Sequence, residues 1–300
     1  MPQNLFKIHE KEYVLPGTRA CQGCGLSIAY RFALKALRED TIVTLPACCL
    51  CVLHGLYPLT PVLVPSVNNT FASTAASASG IAAGLAALNR TETTVVAFAG
   101  DGGTFDMGIQ ALSGAAERGT DFIYVAYDNE GYMNTGTQRS SATPMGALMT
   151  TTPVLTKQQH KKDFLKIMEA HQIPYIATTT PAYPIDLYDK FVRAKRIKGT
   201  RFIHIHTPCP PGWQYPTKDT IRIGRLAVDT GLCVLFEVEN GKFRFTGRSR
   251  TLAEKGNKLP VVHYVEKQGR FKKMSIEQLN QLQAWVDDRW WSFDVVNRSR

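Results

Sequence analysis

The sequence holds no run that could cross a membrane as a helix. Its most apolar stretch, Phe71 to Leu88, is broken by Ser73, Thr74, Ser77 and Ser79, whereas a span needs ~20 predominantly apolar residues. The first ten residues lack the basic start and apolar run of a signal peptide, so a cytoplasmic location is expected. Internal repeats are absent, and a composition of 44% hydrophobic and 20% charged residues excludes a disordered chain. A disulfide framework is also missing, because the seven cysteines are odd in number and clustered in a chain without a secretory signal. No second C-x-x-C follows Cys21 and Cys24, which argues against a four-cysteine zinc ribbon, and no thioredoxin-like pattern surrounds them. Three hundred residues suffice for two domains or one large α/β domain.

Acidic residues are scarce in one place. Between Lys242 and Lys273 stand ten Lys or Arg against Glu254 and Glu266, much of the chain's net charge of +10. Such a segment is either a solvated face or a docking patch for an acidic partner. Nucleic acid is not expected, since no recognised binding module surrounds these charges.

What is present alternates. Residues 26–39 read as an amphipathic helix, Thr41 to Leu45 as a short strand, and residues 70–89 as a helix rich in small side chains. Thr93 to Ala99 and Phe122 to Tyr127 read as buried strands with a helix from Phe105 to Arg118 between them. Helices over Asp163 to His171 and Ile185 to Arg196 alternate with strands over Pro174 to Thr178 and Phe202 to His206. This order predicts an α/β fold, a doubly wound, mostly parallel sheet covered on both faces. Residues 1–210 form the expected α/β domain. Residues 211–300 form an extension, with a hairpin turning at Glu239-Asn240-Gly241, the basic segment, and a helix from Ser275 to Trp291. Trp285, Trp290 and Trp291 on that helix, and the small-residue segment 70–89, are the expected subunit contacts.

Gly100-Asp101-Gly102-Gly103 follows directly on a buried strand. Glycines there let backbone N–H groups approach a phosphate, and an acidic residue among them makes sense if it holds Mg²⁺. Alone, such a tripeptide is more often only a turn. With 25 residues intervening after Gly102, however, the next buried strand ends in Asp128-Asn129-Glu130-Gly131-Tyr132-Met133-Asn134. Adjacent strand ends lie ~5 Å apart, so Asp101 and Asn129 can share one hard cation. The pattern resembles the thiamine diphosphate-binding motif, which implies Mg²⁺ on Asp101, Asn129 and the carbonyl of Gly131.

Cys21-Gln-Gly-Cys24 offers two thiolates at bite distance, and a soft cluster would draw two more from Cys48, Cys49, Cys51, Cys209 and Cys233. Cys233, in an apolar stretch read as strand, reads as a plain buried thiol. Together, Ala20-Cys-Gln-Gly-Cys-Gly, Gly100-Asp-Gly-Gly-Thr, Leu112-Ser-Gly-Ala-Ala-Glu-Arg-Gly, the run from Tyr127 to Pro144, and His206-Thr-Pro-Cys-Pro-Pro-Gly-Trp213 are similar to the β subunits of 2-oxoacid:ferredoxin oxidoreductases. The pyruvate enzymes are the most similar of these. The resemblance implies a [4Fe–4S] cluster on Cys21, Cys24, Cys49 and Cys209. Cys49 is favoured over Cys48 by aligning Leu50 and Tyr57-Pro58, and Cys51 stands where the family has an acidic residue. It implies that Asn134 contacts substrate near the reactive carbon, with Thr135 and the Gln138-Arg139-Ser140-Ser141 run lining the same pocket. Phe105 stands where relatives have a small residue. The activity implied is oxidative decarboxylation of a 2-oxo acid, pyruvate first, with electrons passed to ferredoxin and the acyl group to coenzyme A. The partners implied are a facing thiamine-pyrimidine domain and a ferredoxin-like cluster subunit, without which this chain is inactive. The alternatives are the same family acting on another 2-oxo acid (2-oxoisovalerate, an aryl-glyoxylate or oxalate) and a non-redox thiamine decarboxylase or lyase.

Overall fold

The computed structural model describes residues 8–56 and 58–298; Tyr57, used in the alignment of Cys49, lies outside the described residues. Eight strands, β1 (Thr41–Pro46), β2 (Ser66–Asn69), β3 (Thr94–Gly100), β4 (Phe122–Asp128), β5 (Tyr175–Thr179), β6 (Thr200–His206), β7 (Phe236–Glu239) and β8 (Lys242–Phe245), form one sheet in the order β2-β1-β3-β4-β6-β5-β7-β8. The first six are parallel; β7 and β8 add an antiparallel hairpin beyond β5. The 211–300 extension therefore contributes two strands to the same sheet.

The helices are α1 (Gly25–Leu37), α2 (Cys49–His54), α3 (Thr74–Ala87), α4 (Ile109–Glu117), α5 (Phe164–Ala170), α6 (Pro184–Arg196), α7 (Pro210–Trp213), α8 (Thr220–Asp229), α9 (Gly247–Lys255), α10 (Val262–Val265) and α11 (Ile276–Arg298). None is long and apolar enough to cross a membrane. Helices cover both faces because the central strands are apolar on both sides. On β3, Val96 and Phe98 join a core with residues of α1 and α6, while Val95, Ala97 and Ala99 join another with residues of α3, α4 and α5. A third core gathers α8, α10, Trp213 and the start of α11.

The strand order reverses direction at β1, whose neighbours are β2 on one side and β3 on the other. In an open α/β sheet, a ligand crevice forms beyond the carboxyl ends at such a point. There the expected helix from Phe105 does not form. Gly102–Asp106 makes a π-helical turn and α4 begins only at Ile109. The turn packs so tightly that a Cβ on Gly108 would lie 2.2 Å from the Gly103 carbonyl oxygen. Cys233 likewise lies in the turn before β7 rather than in a strand, its N–H bonded to Ala227.

Two of the three tryptophans serve the chain itself. Trp285 stacks on His160, and Trp290 stacks on Phe245 beneath the Lys258 ammonium, fixing α11 to the fold; Trp291 is 68% exposed. Part of the basic run is tied into the fold, although Lys242, Arg244, Arg250, Lys255, Lys267, Lys272 and Lys273 are exposed. Arg244 pairs with Glu237, Arg248 with Asp229 and Lys258 with Asp287, and Arg270 is wholly buried. Most of the run is thus exposed, and Arg270 is the one cation in it that is wholly buried.

Candidate functional site

A cavity of about 240 Å³ opens beyond the ends of β1, β3 and β4. Gly100, Asp101, Gly102, Gly103, Asn129, Gly131, Asn134 and Thr135 all border it, as do Cys48, Cys49 and Cys51 from α2 and its N-cap. Phe71 and Tyr132 stack at 5.9 Å on its wall. Gly102 is required here, because a Cβ would sit 2.4 Å from the Tyr132 ring.

Asp101 is 1% exposed, and Ser140 donates to its Oδ2 at 2.5 Å. Burial, and then the Asp128 carboxylate behind it, raise its pKa well above the usual carboxylate range. The side-chain oxygen of Asn129 faces Asp101 Oδ1 at 3.1 Å and the Gly131 carbonyl at 2.9 Å. Three oxygens turned on one another repel, unless the amide is reversed to donate to both or a cation lies among them. Octahedral ligation of Mg²⁺ at ~2.1 Å sets neighbouring oxygens ~3 Å apart, which matches this spacing. With the oxygen so placed, the amide nitrogen of Asn129 lies 4.0 Å from Cys49 Sγ.

On the other side of Asn129 and Asn134 is a second cavity, of about 70 Å³, bordered by Cys21, Cys24, Cys49 and Cys209. Two segments distant in sequence meet there, since Gly25 N–H donates to the Pro208 carbonyl at 3.1 Å. A Cβ on Gly25 would lie 2.7 Å from that oxygen. Cys48 lies outside this cavity, turned toward Tyr127. Burial raises the pKa of Cys24, of Cys49 and of Cys209 (the last to about 12), and the neighbouring thiolates add to it. Only a cationic centre would hold them together as thiolates. Among the described residues, no three His, Cys, Asp or Glu side chains close on one point as a single ion demands. The four thiols ring a space instead.

The comparisons decide the family. Residues 49–205 match the model of the thiamine pyrophosphate enzyme C-terminal, TPP-binding domain. The chain is 44% identical over 286 residues to the pyruvate synthase subunit PorB of Methanothermobacter marburgensis, covering 94% of this chain and 97% of that one. It belongs to the β subunits of 2-oxoacid:ferredoxin oxidoreductases. The ketoisovalerate oxidoreductase subunit VorB of Pyrococcus horikoshii is equally similar, 45% identical with 93% and 92% covered. Among solved structures, a 2-oxoglutarate:ferredoxin oxidoreductase from Magnetococcus marinus shares the fold at a TM-score of 0.57, with 19% identity over 73% of this chain and 82% of that one. The β subunit is thus one chain of a thiamine diphosphate-dependent, multi-subunit enzyme.

Other expectations divide. Ser140 reaches the site, but Gln138 bonds back to Thr135 and Arg139 N–H to Thr151. Phe105 stacks on Phe164 at 4.4 Å and does not border the larger cavity. Sequence reasoning missed a buried ionic group behind the loop from Asp128 to Gly131. Lys161 Nζ contacts Asp128 at 3.0 Å and Glu130 at 2.6 Å; Arg270 contacts Glu130, and His204 contacts Asp128 at 3.0 Å. Burial opposes ionisation of both carboxylates, but Lys161, with His204 on one and Arg270 on the other, outweighs it and lowers both pKa values. Lys161 rises to about 12 in return. No local pattern announces contacts spanning 140 residues; the only signal was an arginine in a run that read as surface.

Proposed function

We propose that this β subunit binds thiamine diphosphate through Mg²⁺ on Asp101, Asn129 and the Gly131 carbonyl, and a [4Fe–4S] cluster through Cys21, Cys24, Cys49 and Cys209. The enzyme it completes oxidatively decarboxylates a small aliphatic 2-oxo acid. Pyruvate and 2-oxoisovalerate stand level, because relatives named for each are equally similar. The observation that carries the reading is the shared wall: Cys49, Asn129 and Asn134 border both the oxygen-lined cavity and the thiol-lined one. A thiamine site beside a soft-metal site suits removal of electrons rather than simple protonation. The alternative of a non-redox lyase leaves the four thiols without a task.

Bound thiamine diphosphate would supply the electron sink for decarboxylation, and the cluster a one-electron acceptor. The chain's own part is positional. Ser140 fixes one Asp101 oxygen and leaves Oδ1 facing Asn129. The Phe71–Tyr132 pair and the side chains of Val52 and Met133 keep the cavity apolar around those oxygens. Asn134, on the wall between the cavities, offers an amide to the substrate near its reactive carbon. The facing domain and the cluster subunit, with ferredoxin and coenzyme A, complete the reaction. Exposed Val52, Leu56, Leu59 and Leu63, on α2 and the segment leaving it, favour burial of this rim under a partner chain. The test is anaerobic reduction of a viologen dye by the assembled complex over a panel of 2-oxo acids, with and without coenzyme A. The reading requires dye reduction with pyruvate or 2-oxoisovalerate; decarboxylation without dye reduction would favour the lyase.

A further inference from the structure

We infer that Arg270 is a positioning residue for the metal site, fixing the oxygens of Asn129 and Gly131 through Glu130 and Trp213 without touching cofactor or metal. The inference rests on the assignment of Asp101, Asn129 and Gly131 as metal ligands. Glu130 lies between two of those ligands and has φ +66°. For a residue with a Cβ this left-handed conformation is strained and persists only when surroundings enforce it. Its enforcement comes from every side. Its N–H donates to Asp128 Oδ1 at 2.9 Å, its carbonyl accepts from Thr143 Oγ1 at 2.7 Å, and its carboxylate is held by Lys161 and Arg270. That turn sends the Gly131 carbonyl back toward the Asn129 side chain.

Arg270 is placed to do this and more. Its Nη2 donates to Glu130 and, at 3.1 Å, to the Tyr264 hydroxyl, and its Nε donates to Gln268 at 2.9 Å. Its guanidinium lies 4.0 Å from the centre of the Trp213 ring, and Trp213 Nε1 donates to the Asn129 carbonyl at 2.7 Å. The backbone N–H of Trp213 bonds the carbonyl of Cys209 at 2.9 Å, so this residue joins the cysteine turn, through its backbone, to the Asn129 loop, through its indole. One planar cation therefore contacts both the Glu130 carboxylate and the indole that holds the Asn129 carbonyl. An ammonium can neutralise Glu130 but cannot both fork and stack.

The test uses the assembled complex and Mn²⁺, which takes the same oxygen donors as Mg²⁺, titrated by electron paramagnetic resonance in the presence of thiamine diphosphate. Arg270→Lys keeps the buried charge balanced, and Trp213→Phe removes the indole N–H together with part of a wholly buried ring, a packing loss that denaturation midpoints would report separately. Loss of an outer partner of a metal ligand weakens binding by about 10–100-fold. We expect Arg270→Lys to fall in that range and Trp213→Phe near its lower end. Iron content should remain unchanged, and turnover should recover at saturating Mn²⁺. Variants that bind Mn²⁺ as the unaltered complex does, whatever their stability or turnover, would overturn the inference. Absence of thiamine-dependent Mn²⁺ binding in the unaltered complex would overturn the ligand assignment beneath it.

Discussion

The two cavities that meet at Asn129 share Cys49 and Asn134 on their common wall and differ in the donors beyond it. One is walled by a carboxylate, an amide oxygen and a backbone carbonyl at the ends of two adjacent strands. The other draws thiols from a turn before α1, from the first residue of α2 and from the turn before α7. The hard site is built by the sheet, because parallel strands place their carboxyl ends side by side. The soft site is assembled from segments that the sheet does not order, and depends on close backbone contacts such as Gly25 against Pro208. The proposed centres are therefore expected to empty independently of one another.

The largest separation should come from the thiol side. Cys209→Ser in the assembled complex is expected to abolish the iron of this site and its visible absorption while thiamine diphosphate stays bound, measured by iron analysis and cofactor release. Asp101→Asn should do the reverse, lowering retention of thiamine diphosphate with Mg²⁺ by more than about 100-fold, since a direct ligand counts for more than its outer partners. Its iron content should match that of the unaltered chain.

A third expectation concerns both sites at once. His54 ends α2, the helix whose first turn carries Cys49, and is bonded to the Tyr30 hydroxyl at 2.8 Å. Burial lowers its pKa from 6.5 to about 4. The unfolded chain takes up that proton near pH 6.5 and the folded chain only near pH 4, so stability present above pH 6.5 is lost as pH falls through this window. The loss should reach about 2–3 kcal/mol near pH 4, read from denaturation midpoints, and His54→Gln should flatten the slope. The smallest effect is expected for Cys48→Ser. Cys48 is turned toward Tyr127 outside the thiol cavity, so iron content should not change. Loss of iron in that variant would move the third ligand from Cys49 to Cys48.

How much of this could be read in the sequence follows the same division. Gly100–Gly103 and Asp128–Thr135 are local motifs on consecutive buried strands, and strand adjacency alone brings them together. The strands other than β2, and helices α1, α3, α4, α5, α6 and α11, were legible because their apolar patterns are bounded by polar turns. The π-helical turn at Gly102–Asp106 was not, since the close packing of Gly108 on Gly103 that accompanies it leaves no mark in periodicity. Joining Cys24 to Cys209 needed the family resemblance, as no spacing rule spans that distance. Arg270 was misread for a physical reason. A cation in a run of cations carries no mark of burial until its partner Glu130 is found across the fold. The tryptophans of α11 were expected at a subunit contact, but aromatic clustering does not say whether the surface it covers belongs to another chain or to the same one.

The account's central claim is that one chain holds both centres side by side. It is tested most directly by a diffraction map of the anaerobically prepared complex, with anomalous data collected on both sides of the iron edge. The account predicts an iron peak enclosed by Cys21, Cys24, Cys49 and Cys209, next to a metal-bound diphosphate at Asp101, Asn129 and Gly131. A zinc signal among those thiols, or a diphosphate seated away from Asp101 and Asn129, would contradict it.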